Sequence, residues 1–210
     1  MPDIRNLDAI IFDLGGVLLN IDHQAPVRAF AELGIPNFDE LYSKAVQSTL
    51  FTDLETGKLS PQAFRERLRD YLPMKLPDEV LDKAWNSILL DFRPGSIRFL
   101  EQLKGKRRTF LLSNTNAIHH AIFSSRLQLT YGYSDISELM EKAYYSHEVG
   151  MRKPHARIFE HVINESQLNP KRTLFIDDSE EHILTAQNLG LQTHHLQDDE
   201  TIEELLKELI

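Results

Sequence analysis

Apolar residues along the chain fall into two kinds of run. Short unbroken runs at 8–13, 109–113 and 173–177 are rich in β-branched and aromatic residues and too brief for helices, so they predict buried strands. Weaker runs at 143–146 and 192–195 predict two more. Between them the spacing is helical: Ile97 to Leu103 after a Pro94-Gly95 turn, Asn116 to Leu127, Ala156 to Ile163, and His182 to Leu189 with Gly190 as its stop. A last helix carries Ile202, Leu205, Leu206 and Leu209 on one face, a stripe that reads as core packing.

Residues 20–91 interrupt this alternation. Pro26 and Gly34 bracket a helix bearing Ala29, Phe30 and Leu33, and Phe38 to Gln47 predicts a second. Ser60-Pro61 supplies an N-cap and a first-turn proline for a helix with Phe64, Leu68, Tyr71 and Leu72 on one side. Pro77-Asp78-Glu79 opens another, with Val80, Leu81, Ala84, Trp85 and Ile88 on its apolar side; Trp85 is expected in the core there. No strand is expected in this block. Alternating strands and helices elsewhere imply an α/β, Rossmann-like parallel sheet with helices on both faces. The expected organisation is a core of residues 1–19 and 92–210 with an inserted helical cap at 20–91.

Composition narrows the partners. Among 210 residues, 41% are hydrophobic and 26% charged, and 32 acidic against 23 basic residues give a formal charge of −9. That field repels phosphate backbones, so no nucleic acid partner is expected. The one basic cluster, Lys104-Gly105-Lys106-Arg107-Arg108, reads as a solvated loop between helix and strand. There is no cysteine, hence no disulfide and no thiolate metal site. No basic-then-apolar leader opens the chain and no run approaches the roughly 20 apolar residues of a membrane span, so no membrane partner and a cytoplasmic location are expected. The pattern specifies no oligomeric state.

The strand ends carry the candidate chemistry. They read Asp13-Leu14-Gly15-Gly16, Ser113-Asn114-Thr115-Asn116 and Asp177-Asp178-Ser179. Each alone is an ordinary turn or helix cap. In an open parallel sheet, however, ligands bind outside the carboxyl ends of the strands, and here three carboxylates and a hydroxyl would share that edge. Clustered carboxylates repel unless a cation offsets them, and oxygen-only donors suit Mg²⁺. The N–H groups of Gly15 and Gly16 are expected to form a nest for a phosphate. Lys153, in Gly150-Met151-Arg152-Lys153-Pro154, is expected to reach the same crevice from a helix entrance.

Four pieces in order, "FDLGGV", "LLSNTN", "GMRKP" and "FIDDS", resemble the motifs of the haloacid dehalogenase superfamily of hydrolases, with the helical block where that superfamily places its small cap. "FTDLETGKLS", "RPGSIRFLEQL" and "RKPHARIFEHV" resemble its bacterial branch of sugar phosphatases similar to glucose-1-phosphate phosphatase. The resemblance implies that Asp13 attacks phosphorus to form an aspartyl-phosphate. Mg²⁺ would be held by Asp13, the Gly15 carbonyl and Asp178, with Asp177 a direct or outer ligand. Ser113 and the Asn114 N–H would hold phosphoryl oxygens, and Lys153 would pair with both Asp13 and phosphate.

One departure matters. Most phosphatases of the superfamily carry a general acid two places after the nucleophile, where this chain has Gly15. His23 and Asp22 are the candidate replacements. His182 stands where many relatives have Asn or Asp. The adjacent pairs His119-His120 and His194-His195 point apart, so no histidine metal site is expected. Gly57-Lys58 is either a loop facing the substrate or an ordinary helix entrance. The expectation is a Mg²⁺-dependent phosphatase of a small phosphorylated metabolite, a sugar phosphate foremost. Its alternatives are dehalogenation of a 2-haloacid and a catalytically silent fold that binds phosphorylated ligands.

Overall fold

The computed structural model describes residues 6–47 and 49–210, and only the backbone of 44–47. In chain order its main elements are β1 (Ala9–Phe12), β2 (Leu19–Ile21), α1 (Ala25–Glu32), α2 (Phe38–Gln47), α3 (Leu50–Glu55), α4 (Pro61–Arg69), α5 (Asp78–Trp85) and β3 (Leu89–Phe92). There follow α6 (Pro94–Leu103), β4 (Arg108–Ser113), α7 (Ala117–Tyr131), β5 (Lys142–Tyr145), α8 (Ser146–Val149), α9 (Ala156–Glu165), β6 (Thr173–Asp177), α10 (Glu180–Asn188), β7 (Gln192–His195) and α11 (Ile202–Leu205).

β1 is central because all four of its side chains are apolar and can be covered on both faces. It lies in a five-stranded sheet ordered β5-β4-β1-β6-β7, with every pair parallel. Successive side chains of a strand point to opposite faces. Ile10 and Phe12 therefore pack with Phe99, Leu103 and Phe123 from α6 and α7, whereas Ala9 and Ile11 meet Ile158, Phe159 and Ile183 from α9 and α10. Phe12 stands beside Leu111 and Ile176. This register sets Asp13 level with Asp177 and one residue short of Ser113, so all three strands end at one edge.

Helices α1 to α5 gather around an apolar cluster of their own, including Phe30, Phe38, Phe51, Phe64, Leu81 and Trp85. The Ser60 Oγ accepts from the Ala63 N–H at 3.2 Å and Pro61 opens α4, as its sequence predicts. The expectation of no strand between 20 and 91 fails. β2 and β3 pair antiparallel, Leu19 with Phe92 and Ile21 with Leu89, and this ribbon carries the chain into and out of the helices. Three or four residues are too few to display a period of two, and Leu89-Leu90 continues the apolar spacing of α5. The boundaries expected at 19/20 and 91/92 fall inside these two strands. The Pro94-Gly95 pair is the first turn of α6 and not a separate turn, since proline's missing N–H costs nothing at a helix start. Among the described residues, no helix is long and apolar enough to cross a membrane.

Candidate active site

The Asp13 N–H donates to the Ile176 carbonyl at 2.9 Å, extending the ladder one residue and placing the side chain just past the sheet edge. Lys153 arrives from the loop after α8. Its side chain is 0% exposed, and its Nζ lies 2.7 Å from Asp13 Oδ1 and 2.6 Å from Asp177 Oδ2. The Asn114 side-chain amide aims it: Nδ2 donates to the Lys153 carbonyl and Oδ1 accepts from the Lys153 N–H, both at 2.9 Å. Asn114 and Ser113 are thus not helix caps; Asn116 caps α7 through the N–H groups of Ile118 and His119.

Asp177 is buried and its oxygens are engaged. Oδ1 accepts from the Ser179 N–H at 2.8 Å and lies 2.9 Å from His182 Nδ1, while Oδ2 takes Lys153. The neighbouring Asp178 is exposed. Asp13, Asp177 and Asp178 each bring a carboxylate oxygen within 4.8 Å of the other two. Burial, then the nearby Asp177 and Asp178, pushes the Asp13 carboxyl up against the pull of Lys153. Although the residue as a whole is exposed, partial desolvation of its carboxyl, and then Asp177, likewise raise Asp178. Burial also opposes ionisation of Asp177, but Lys153 and His182 outweigh it and hold this carboxyl below its ordinary value. Three carboxylates against one ammonium leave an excess of negative charge on hard oxygen donors, a set that fits a divalent ion such as Mg²⁺.

The two glycines divide their work. Gly16 has φ +72°, and a Cβ there would fall 2.1 Å from Asp178 Oδ2, so only glycine lets that carboxylate approach. Its N–H is taken by the Leu19 carbonyl at 2.9 Å, which removes it from the phosphate nest expected of the pair. At Gly15 a Cβ would meet only Ile21, with Cδ1 at 3.3 Å, and the backbone is not in the left-handed region.

A cavity of about 530 Å³ opens over this edge. Asp13, Gly15, Ser113, Asn114, Lys153 and Asp178 line its floor; His23, Tyr42, Glu55, Trp85 and His119 line its wall. Of the two expected acids, His23 is on the wall. Asp22 is not: its carboxylate pairs with Arg28 and the Gln24 N–H, and these hold its carboxyl below the usual range. Gly57 packs against the His147 carbonyl, Lys58 is exposed, and neither lines the cavity. The basic cluster ends in Arg108, which opens β4 at the opposite end of the sheet and pairs with Glu141 at 2.6 Å.

Tyr42, Glu55 and His119 are wall residues that the sequence did not single out for the site. Glu55 is ion-paired to Arg152 at 3.0 Å, and its carboxyl is raised by burial. His119 is stacked on Trp85 at 5.2 Å with Nδ1 2.8 Å from Asn86 Oδ1, and burial pushes its pKa down to about 4. They come from three separate helices, so nothing in their local spacing links them.

The sequence profile of the haloacid dehalogenase-like hydrolases matches residues 7–190. The chain belongs to this family. It is 34% identical over 187 residues to a D-ribitol-5-phosphate phosphatase from Bacteroides thetaiotaomicron, covering 88% of this chain and 89% of that one. It is 25% identical to a sesquiterpene phosphatase from Aspergillus oryzae over 90% of each chain. A haloacid dehalogenase family enzyme from B. thetaiotaomicron, solved in complex with magnesium and inorganic phosphate, superposes with a TM-score of 0.87 at 33% identity, over 95% of this chain and 98% of that one. An L-2-haloacid dehalogenase from Xanthobacter autotrophicus, at 18% identity and a TM-score of 0.62 over 97% of this chain and 82% of its own, shares the family fold alone.

Proposed function

We propose that this hydrolase is a Mg²⁺-dependent phosphatase of a small sugar or sugar-alcohol phosphate, working through an aspartyl-phosphate on Asp13. The observation that carries the reading is the buried Lys153 bridging Asp13 and Asp177 at the floor of a cavity, with Asp178 beside them. The magnesium and phosphate bound by the B. thetaiotaomicron enzyme, and the ribitol-phosphate activity in the name of the 34% identical relative, support it.

In this reading an Asp13 oxygen attacks phosphorus and the ester oxygen leaves with the bonding pair; water then cleaves the acyl-phosphate and restores the carboxylate. Lys153 offsets the repulsion between Asp13 and the incoming phosphoryl group, while Ser113 and the Asn114 N–H hold its oxygens. The Asn114 side chain and Asp177 are positioning residues, because both fix where Lys153 points. Asp13, Asp178 and the Gly15 carbonyl would hold Mg²⁺, with Asp177 supporting from behind because its oxygens already accept other donors. The ion would supply positive charge to the carboxylates and the phosphate together. Residues 20–91 act as the cap, and their wall residues select the group the phosphate is attached to.

A screen of sugar and sugar-alcohol phosphates, beginning with D-ribitol-5-phosphate, tests this with and without Mg²⁺. Phosphate release that stops in EDTA and returns with Mg²⁺ is the expected result. Absence of any phosphate release, or full activity in EDTA with halide released from a 2-haloacid, would overturn it.

A further inference from the structure

The fold brings together two histidines that stand far apart in sequence. His120 lies on α7 and His147 on α8, and their ring centroids are 5.5 Å apart. With Glu148 they form a group whose ligating atoms all lie within 4.8 Å of one another. None of the three lines the cavity above Asp13. We propose that His120, His147 and Glu148 form a second metal site, separate from the carboxylate edge and suited to a borderline transition ion such as Zn²⁺.

Two observations on the individual rings carry this beyond proximity. The first is the support behind His120. Its Nε2 lies 2.8 Å from Asp135 Oδ2, and Asp135 is itself fixed by the Tyr145 hydroxyl at 2.9 Å and the Ser137 N–H at 2.8 Å. A carboxylate so held keeps the proton on Nε2 and leaves the Nδ1 lone pair available. That is how metal-bound imidazoles are oriented and made more basic in proteins. The second concerns His147, whose Nδ1 is buried with no hydrogen-bond partner. Buried ring nitrogens are nearly always satisfied, so this ring has no hydrogen bond at that atom to explain its position.

The donor set decides the class of ion. Two imidazoles and a carboxylate favour zinc or a similar ion over Mg²⁺, which prefers oxygen donors throughout. The site also has a consequence for the fold. The His147 carbonyl lies where a Cβ on Gly57 would be, at 2.2 Å, and the adjacent Ser146 Oγ both accepts from and donates to the backbone of Thr115 at 2.9 Å. An ion here would tie α7 to α8 at the seam where the loop after α3 meets the sheet domain.

The test uses the Asp178→Asn protein with millimolar Mg²⁺ present, so that the carboxylate edge does not compete for Zn²⁺. One equivalent of Zn²⁺ should shift the side-chain nitrogen resonances of His120 and His147 and leave those of His194 and His195 in place. His120→Asn combined with His147→Gln should weaken Zn²⁺ binding at least about 100-fold, and Asp135→Asn by about 10- to 100-fold. Unmoved His120 and His147 resonances in the protein with its native histidines would overturn the proposal. So would Zn²⁺ affinity that survives the paired substitution in a protein whose circular dichroism shows it folded. These readouts do not depend on phosphatase activity, and so stand apart from the proposed function.

Discussion

The floor and the wall of the cavity are built on opposite principles. On the floor, charged side chains are buried and tied to one another: Lys153 to two carboxylates, Asp177 to three donors, Asn114 to the Lys153 backbone. Apart from the ion-paired Glu55, the wall is mostly rings, joined through Phe51, which does not itself line the cavity: Tyr42 lies 4.5 Å from Phe51, Phe51 5.0 Å from Trp85, and Trp85 5.2 Å from His119. Removing one member of a buried charge network leaves its partner uncompensated, so the floor tolerates little change. Rings in contact contribute about 0.5–1.5 kcal/mol each beyond their burial, so the wall can vary in small steps. In the proposed reading, this difference separates a fixed reaction from an adjustable choice of substrate.

The sharpest way to break this division is on the floor. Asp13→Asn should lower kcat by at least about 1,000-fold, a loss of roughly 4 kcal/mol of transition-state stabilisation. The thermal midpoint should hold, because Lys153 keeps Asp177. A variant retaining a tenth of the activity would contradict the role given to Asp13.

Gly15 comes next. General acid catalysis is worth about 10² to 10⁴ in rate, and position 15 offers no acid. Substrates with good leaving groups should therefore be preferred over alkyl phosphates. The backbone at 15 is compatible with a side chain, so Gly15→Asp should narrow that gap. The check is log(kcat/KM) against leaving-group pKa for both proteins, under conditions where chemistry limits the rate. A flat line for the native chain would mean that a wall residue, His23 first, already supplies the proton.

A smaller effect reaches the wall through pH. His119 is buried and neutral when folded, with a pKa near 4 against an ordinary 6.5. Between those values the unfolded chain binds the extra proton, so stability is full above about pH 6.5 and falls as pH drops toward 4, by up to about 1.4 kcal/mol per unit. In His119→Gln the dependence of unfolding free energy on pH over this window should be shallower than in the native chain. Equal slopes would contradict the assignment. The smallest effect is Tyr42→Ala, a half-exposed residue on the cavity rim, which should raise KM by no more than about tenfold with kcat and thermal midpoint nearly unchanged. A matching fall in kcat would mean that the wall takes part in the chemistry.

The same contrast explains what could be read from the sequence. The floor is legible because β4 and β6 end in Ser113 and Asp177 and β1 ends one residue before Asp13, so locating the three strands locates the side chains that meet at the sheet edge. Lys153 needed only its place before α9. The wall was not legible: Tyr42, Glu55 and His119 lie on three helices whose mutual angles no local spacing records. The β2–β3 ribbon is not legible because its strands are too short to show a period. Gly15 and Gly16 looked alike as turn residues, and only the fold shows that Gly16 makes room for Asp178 while Gly15 could carry a side chain. His120 and His147 likewise meet only through the packing of α7 against the end of β5.

In the proposed reaction Asp13 is the nucleophile that takes up the phosphoryl group, and one measurement addresses this directly. The protein with Mg²⁺ is mixed with a substrate found in the screen, quenched in acid within a single turnover, and the peptide containing Asp13 is examined by mass spectrometry. A phosphoryl adduct on Asp13 that appears and decays at rates consistent with turnover is the expected result. Phosphate released at the full rate with no adduct at Asp13 at any quench time would contradict the account.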